Sequence, residues 1–367
     1  MELTSRERVI RALAREPGDQ VPVMVSPWGA TVERWRTEGH IGAEEDVAEH
    51  FGQDMRSGGW FNSTADLDFV PTVLEETDET ILTKDGNGAM LRRHKLHDST
   101  PEHVDFEVQN RGGWDEKIKP FLVGLDRRRI PFEGYRAAKQ FAEERQRFFI
   151  WGGVAPFEQM HPVCGHEYML MGMAEDPEWV QDMVMTFAEF TIRHQEVLFA
   201  EEGVPDGIMY YEDMGFKERP FMSPAMYEEI MQPGHKLLFD YAHSLGCKVI
   251  VHSCGYVEPL VPGLIEAGMD CLQAMEVKAG MDLPTLFRRF GDRISFYGGL
   301  DVRALIANDR AQIDHEFEKM RYVLENGGGF ILHSDHSEPP EVDYATMRYF
   351  VDHGREISRD IFAAKCR

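Results

Sequence analysis

The stretch Lys248-Val249-Ile250-Val251-His252-Ser253-Cys254-Gly255 opens on three β-branched residues and closes on two side chains of metal-ligand type. Its apolar run is short and bounded by Gly246 and Gly255, which describes a buried strand that stops at a turn. His252 and Cys254 stand two residues apart where the apolar run ends, so extended backbone turns both to one side. Taken alone, the pair is equally a satisfied core imidazole and a small buried thiol.

Outward from this stretch the same unit recurs. Short runs at Val21–Val25, Asp54–Ser57, Phe148–Trp151, Gly207–Tyr211, Asp270–Met275, Ile294–Tyr297 and Phe330–Leu332 read as further strands, with the largely polar Asp54–Ser57 the weakest. Between them lie amphipathic helical patterns, for example over 257–267, 282–290 and 311–325. Helix starts are marked by the capping box Thr4-Ser5-Arg6-Glu7, by Asp176 before Pro177 and by Ser223-Pro224. Residues 31–51 and Trp114–Arg147 also read as helical, and the last helix begins at about 343. Eight alternating strand and helix units predict parallel pairing with right-handed crossovers, hence an α/β chain closed as a (β/α)8 TIM barrel; a doubly wound open sheet is the alternative. The stretch 64–110 breaks the rhythm. Around Asp85-Gly86-Asn87-Gly88 it alternates in strand fashion, which predicts an inserted β-hairpin region within a single domain spanning 1–367.

In such a barrel the chemistry sits where the strands exit. The exits here carry Glu212 and Asp213, His252 and Cys254, Glu276, Asp301, then Asp335 and His336. On closure the last strand comes back beside the first. A third ligand for His252 and Cys254 is therefore expected from His336, with His333 and Asp335 behind it. Zinc suits such an N/S/N set, and three protein ligands leave one position open. Glu212, Asp213 and Asp335 are the expected catalytic residues, with Glu212 or Asp213 either a fourth ligand in the resting state or a general base. Trp28 and Tyr211 are expected to shape a substrate pocket, with Glu276 and Asp301 among its polar groups. Cys247 and Cys271 fall at strand entrances and Cys366 in the tail, so these three are not expected to share the site; Cys164 follows the third strand on the correct side, in a loop-to-helix segment, and stays a lesser candidate.

Val-His-Ser-Cys-Gly at 251–255, Tyr-Gly-Gly-Leu-Asp at 297–301, the Glu212-Asp213 strand end and Gly-Gly-Gly-Phe-Ile-Leu-His-Ser-Asp-His-Ser-Glu-Pro-Pro at 327–340 together resemble the uroporphyrinogen decarboxylase superfamily. The likeness runs from the first helix to about residue 355 and is closer to the cobalamin-dependent methyltransferase branch. It implies a (β/α)8 barrel, a Zn2+ that activates a thiol or related methyl acceptor, and a methyl group carried by a corrinoid on a partner protein. Two departures stand out. The branch usually has Cys where this chain has His336. The arginine-rich N-terminal segment of the decarboxylase is replaced by Ser-Pro-Trp-Gly-Ala-Thr-Val-Glu-Arg-Trp-Arg at 26–36. Without that cluster a polycarboxylate tetrapyrrole would lack its cationic partners. The expected function is thus zinc-dependent methyl transfer or O-demethylation linked to a corrinoid-binding protein. The alternatives are a metal-free decarboxylase or lyase on a small carboxylic acid, and a non-catalytic ligand-binding subunit.

Composition narrows the partners. A net charge of −25 argues against nucleic acid and anionic membrane surfaces, which need a basic footprint. Residues 1–8 lack the apolar run of a signal peptide, and no apolar segment approaches the ~20 residues of a membrane span. Five scattered cysteines argue against a disulfide framework. A cytoplasmic enzyme of small molecules is expected, with an oligomer left open.

Overall fold

The computed structural model of the protein describes residues 2–96 and 101–365; Cys366 and part of the stretch 64–110 lie outside the described residues. Among the described residues eleven strands form: β1 (Met55–Ser57), β2 (Thr72–Glu76), β3 (Thr80–Lys84), β4 (Ala89–His94), β5 (Glu102–Phe106), β6 (Phe148–Val154), β7 (Gly207–Tyr211), β8 (Lys248–Ser253), β9 (Cys271–Ala274), β10 (Ser295–Gly298) and β11 (Phe330–Ile331). Seven pair in parallel in the order β1-β6-β7-β8-β9-β10-β11, which is also their order along the chain. Strand after strand adds on the same edge, so the natural twist of the sheet curls it into a barrel-like α/β fold. The extended segment around Val23 lies between the two edges. Val23 bridges Leu332 in parallel, and the Asp54 N–H donates to the Val23 carbonyl at 2.9 Å. β2 to β5 form a separate four-stranded antiparallel sheet within the stretch where the sequence alternates.

Register explains what faces inward. Tyr211 pairs with His252, His252 with Gln273, and Gln273 with Tyr297. Because strand side chains alternate, these four lie in one row on the same face of four successive strands. Ile331 continues this row beside Tyr297, and below it Met55, Ile150, Met209, Ile250 and Cys271 pack with Val9, Ala12 and Leu13 of the helix Ser5–Leu13. The Ser295 hydroxyl donates to the Ala12 carbonyl at 2.8 Å, so this helix closes the strand entrances. The strand exits stay open. The opposite faces of the strands, including Val23, Ile208, Val249, Val251 and Leu332, belong to the larger core beneath the outer helices.

Several sequence expectations shift at glycines and prolines. β6 does not end at Gly152-Gly153 but runs to Val154; a Cβ on Gly153 would meet the Trp60 ring at 2.1 Å, so that glycine admits a neighbour rather than stopping a strand. The helical span expected over 31–51 is two helices, Gly29–Thr37 and Val47–His50, separated where Gly39 takes φ +81 and Asp46 caps the second. Trp114–Arg147 is divided into short turns and a helix over Phe132–Glu144. The helix Pro156–Glu175, bent at Gly165, precedes the expected one at Pro177–Glu202. Among the described residues no helix is long and apolar enough to cross a membrane.

Candidate metal centre

β8 delivers its two ligand types as the spacing demands. The Cys254 Sγ lies 3.3 Å from His252 Nε2. Asp213, two residues beyond the end of β7, brings Oδ1 to 3.3 Å from the same nitrogen and accepts the Cys254 N–H at 2.7 Å. One ligand atom from each of Asp213, His252 and Cys254 falls within 4.8 Å of the others. Ligands bound at about 2.0–2.3 Å on a tetrahedral ion lie roughly 3.3–3.8 Å apart, so both measured separations match the edge of such a site. The opposite imidazole nitrogen, Nδ1, is hydrogen-bonded to Gln273 Oε1. An amide oxygen only accepts, so Nδ1 carries a proton, and an ion bound at the cluster would take the Nε2 lone pair in place of that nitrogen's proton.

Electrostatics agree with a site for a cation. Burial alone would raise the Asp213 carboxyl, but hydrogen bonding and charge from His252 outweigh it and hold the group below its usual range. Burial first, then the negative Asp213 and Glu276, push the Cys254 thiol up. Metal binding at this cysteine must therefore expel a proton. Glu158, on the helix Pro156–Glu175, is pushed up to about 8 by burial and by Asp213 and Glu212, so it holds a proton at neutral pH beside the cluster.

Above the barrel interior lies a cavity of about 320 Å³ lined by Tyr211, His252, Cys254, Gln273, Asp335 and His336, among others. Its floor is apolar, with Met24, Met55, Ile150 and Met209.

The expected site residues divide. His252, Cys254, Asp213 and Tyr211 converge at the cavity. His336 is not in the ligand cluster: it lines the rim, 3.7 Å from Asp335 and 4.0 Å from Glu276, and is 40% exposed. The Asp335 carboxylate, 3.7 Å from Nδ1, holds its imidazole above the usual range, with burial opposing. Glu212 is fully buried and turns away from the cavity. Its carboxylate accepts the N–H groups of Phe157 at 3.2 Å and Glu158 at 3.1 Å, at a helix N-terminus, and His235 Nε2 at 2.6 Å. His235 Nδ1 in turn meets the Tyr227 hydroxyl at 2.9 Å. Asp335 accepts from the N–H groups of Val277 and Val302, which ties two strand-exit loops together at the cavity wall. Glu276 accepts the Gly255 N–H at 2.8 Å. Asp301 caps the helix Val302–Ile306 and pairs with Arg303, away from the cavity lining. Trp28 is 54% exposed and does not line the cavity. Cys247 donates to the Pro205 carbonyl, Cys164 to the Met160 carbonyl, and Cys271 lies in the layer below the site.

Gln273 and Glu158 are functional candidates that sequence reasoning misses. Gln273 carries a signal: a polar residue in phase with the inward positions of a buried strand. Glu158 carries none, because its helix lacks an amphipathic period.

Beside the site, His103, His161 and His166 stack in a column, with ring centroids 5.9 Å and 4.6 Å apart. Burial, then the neighbouring imidazoles His166 and His103, lower His161 to about 4, and burial lowers His166 as well. The unfolded chain takes up these protons near pH 6.5, whereas the folded chain refuses the one on His161 until about pH 4. Stability should therefore fall as pH drops between those values, by at most about 3 kcal/mol for His161. Thermal melts at pH 7 and pH 4.5 should show a smaller loss in His161→Gln than in the wild type; equal losses in both would contradict this reading.

Comparison with known proteins follows the same lines. Residues 134–357 match the family described as Uroporphyrinogen decarboxylase (URO-D). A curated relative, the Methylated-thiol–coenzyme M methyltransferase of Methanosarcina mazei, is 28% identical over 156 residues, 42% of this chain and 39% of its own length. The chain thus spans well under half the length of that relative. A solved structure described as a methyltransferase from Methanosarcina mazei superposes with a TM-score of 0.68 at 18% identity, covering 99% of this chain and 100% of its own, and so has the same fold.

Proposed function

This chain belongs to the uroporphyrinogen decarboxylase family, and from that premise we propose that it is a zinc-dependent enzyme of methyl transfer, with the ion held by Asp213, His252 and Cys254. The observation that carries this is the three-atom cluster with tetrahedral-edge spacing, its imidazole oriented by Gln273. Both named relatives are methyltransferases, which supports the reaction class. The reading includes a single domain closed as a (β/α)8 barrel, the Val23 segment being the eighth strand and β2 to β5 an insertion.

Zinc bound there would supply a Lewis acid that lowers the pKa of a thiol or polarises a methyl ether or thioether. The chain's residues do the rest. Asp213 and Cys254 contribute negative charge, and His252 contributes a nitrogen whose tautomer is set. Tyr211 and the apolar floor would hold the methyl-bearing group over the cluster and exclude water. Glu158, beside Asp213, would relay a proton to or from the cluster. The methyl carrier fitting the family resemblance is a corrinoid on a partner protein. His336 and Asp335 at the rim would contact the substrate or its carrier.

Gln273 gives the test. Gln273→Leu keeps the size but removes the oxygen that fixes the His252 ring. Zinc affinity, measured by competition with a chromophoric chelator, should fall by roughly 10–100-fold. Unchanged affinity would remove the orienting role and with it the case for this cluster.

A further inference from the structure

The same cavity says which methyl compounds it takes. Among its lining residues there is no lysine and no arginine. The charged groups at its wall are acids. Asp335 is only 2% exposed and accepts two backbone N–H groups. Glu276 stands behind His336, 4.0 Å from its Nε2. A divalent ion would be balanced by Asp213 and the Cys254 thiolate. His336 can offset one of the remaining carboxylates, 3.7 Å away, which leaves the wall net negative. The floor and sides are apolar or aromatic, formed by Met24, Met55, Ile150, Met209, Tyr211 and Tyr297. At about 320 Å³ the cavity lies at the low end of the range for small-ligand sites.

An anion placed here would leave water, meet no lysine or arginine, and face carboxylates that the His336 imidazole only partly offsets. We infer that the cavity selects a small uncharged methyl thioether or methyl ether and rejects anionic counterparts bearing a sulfonate or carboxylate. This rests on the methyl-transfer reading for the reacting group, but the charge selection is a property of the cavity alone.

The test separates the two. Two thioethers matched in their methylthioethyl portion differ in charge: 2-(methylthio)ethanol is neutral and 2-(methylthio)ethanesulfonate is anionic. Binding of each to the full-length zinc-loaded protein is measured by calorimetry and ligand-observed NMR. The neutral compound should bind at least tenfold more tightly. Ser57→Lys, which adds a cation to an exposed position on the lining, should tighten the sulfonate at least tenfold while changing the neutral compound less than threefold. Equal or tighter binding of the sulfonate to the wild type overturns the inference, as does failure of both compounds to bind. If the neutral thioether binds selectively but is never demethylated in the presence of a reduced corrinoid, the methyl-transfer reading fails and the charge selection stands.

Discussion

Cys254→Ser is expected to lower zinc affinity by at least about 100-fold and to abolish turnover while the barrel still folds. The expectation follows from ligand chemistry. Serine keeps the shape of the side chain but replaces a thiolate, which zinc can hold, by a hydroxyl that stays protonated at neutral pH. A change in the second shell alone typically costs 10–100-fold, so loss of a direct ligand should cost no less. Cys254 is only half-buried at the cavity, so the substitution removes little packing. Cys271→Ala is the matched control. That thiol lies fully buried beneath the site among Ile250, Met209 and Tyr297. Its loss should cost about 1 kcal/mol of stability and leave zinc content unchanged. Loss of zinc in Cys271→Ala but not in Cys254→Ser would place the metal elsewhere.

Glu212→Ala should give the largest loss of stability in the chain's central region, about 3–5 kcal/mol, or on the order of 5–10 °C in melting temperature. The carboxylate is entirely buried and has three partners, two helix N–H groups and His235. Removing it leaves those donors buried without acceptors. Glu212→Gln keeps one acceptor oxygen and should lose less, roughly 1–3 kcal/mol. The measurement is chemical denaturation of both variants with zinc removed. If Glu212→Ala unfolds at the wild-type midpoint but loses activity, Glu212 is a catalytic group and not the tie that joins β7, the helix Pro156–Glu175 and His235.

This contrast also shows where the sequence is legible. The β-branched run Val249–Val251 and its glycine boundaries define β8, and period-two alternation puts His252 and Cys254 on one side. The same alternation applied to β7 separates Glu212 from Asp213. With Met209 and Tyr211 facing inward, Glu212 must face the helices and Asp213 the cavity. Residue type alone does not tell the two acids apart; phase does. His336 fails as a ligand for a different reason. It lies in the irregular segment after β11, where no periodicity fixes direction, and its ring settles between Glu276 and Asp335. The helix Pro156–Glu175 escapes sequence reading because its buried residues encircle it and Pro162 and Gly165 interrupt it. Glu158 is hidden with it. The segment near Val23 is legible as an apolar run, yet it forms a single bridge and no full strand, since Pro22 has no N–H and the Val23 N–H goes to the Asp54 side chain.

The most direct test of the proposed centre is X-ray absorption at the zinc edge on protein purified without chelator and brought to one zinc per chain. The proposed cluster gives one sulfur at about 2.3 Å and nitrogen or oxygen ligands at about 2.0–2.2 Å, with the sulfur shell absent in Cys254→Ser. A first shell with no sulfur, or with two, would contradict it, as would protein that retains well under one zinc per chain and keeps full activity after chelation.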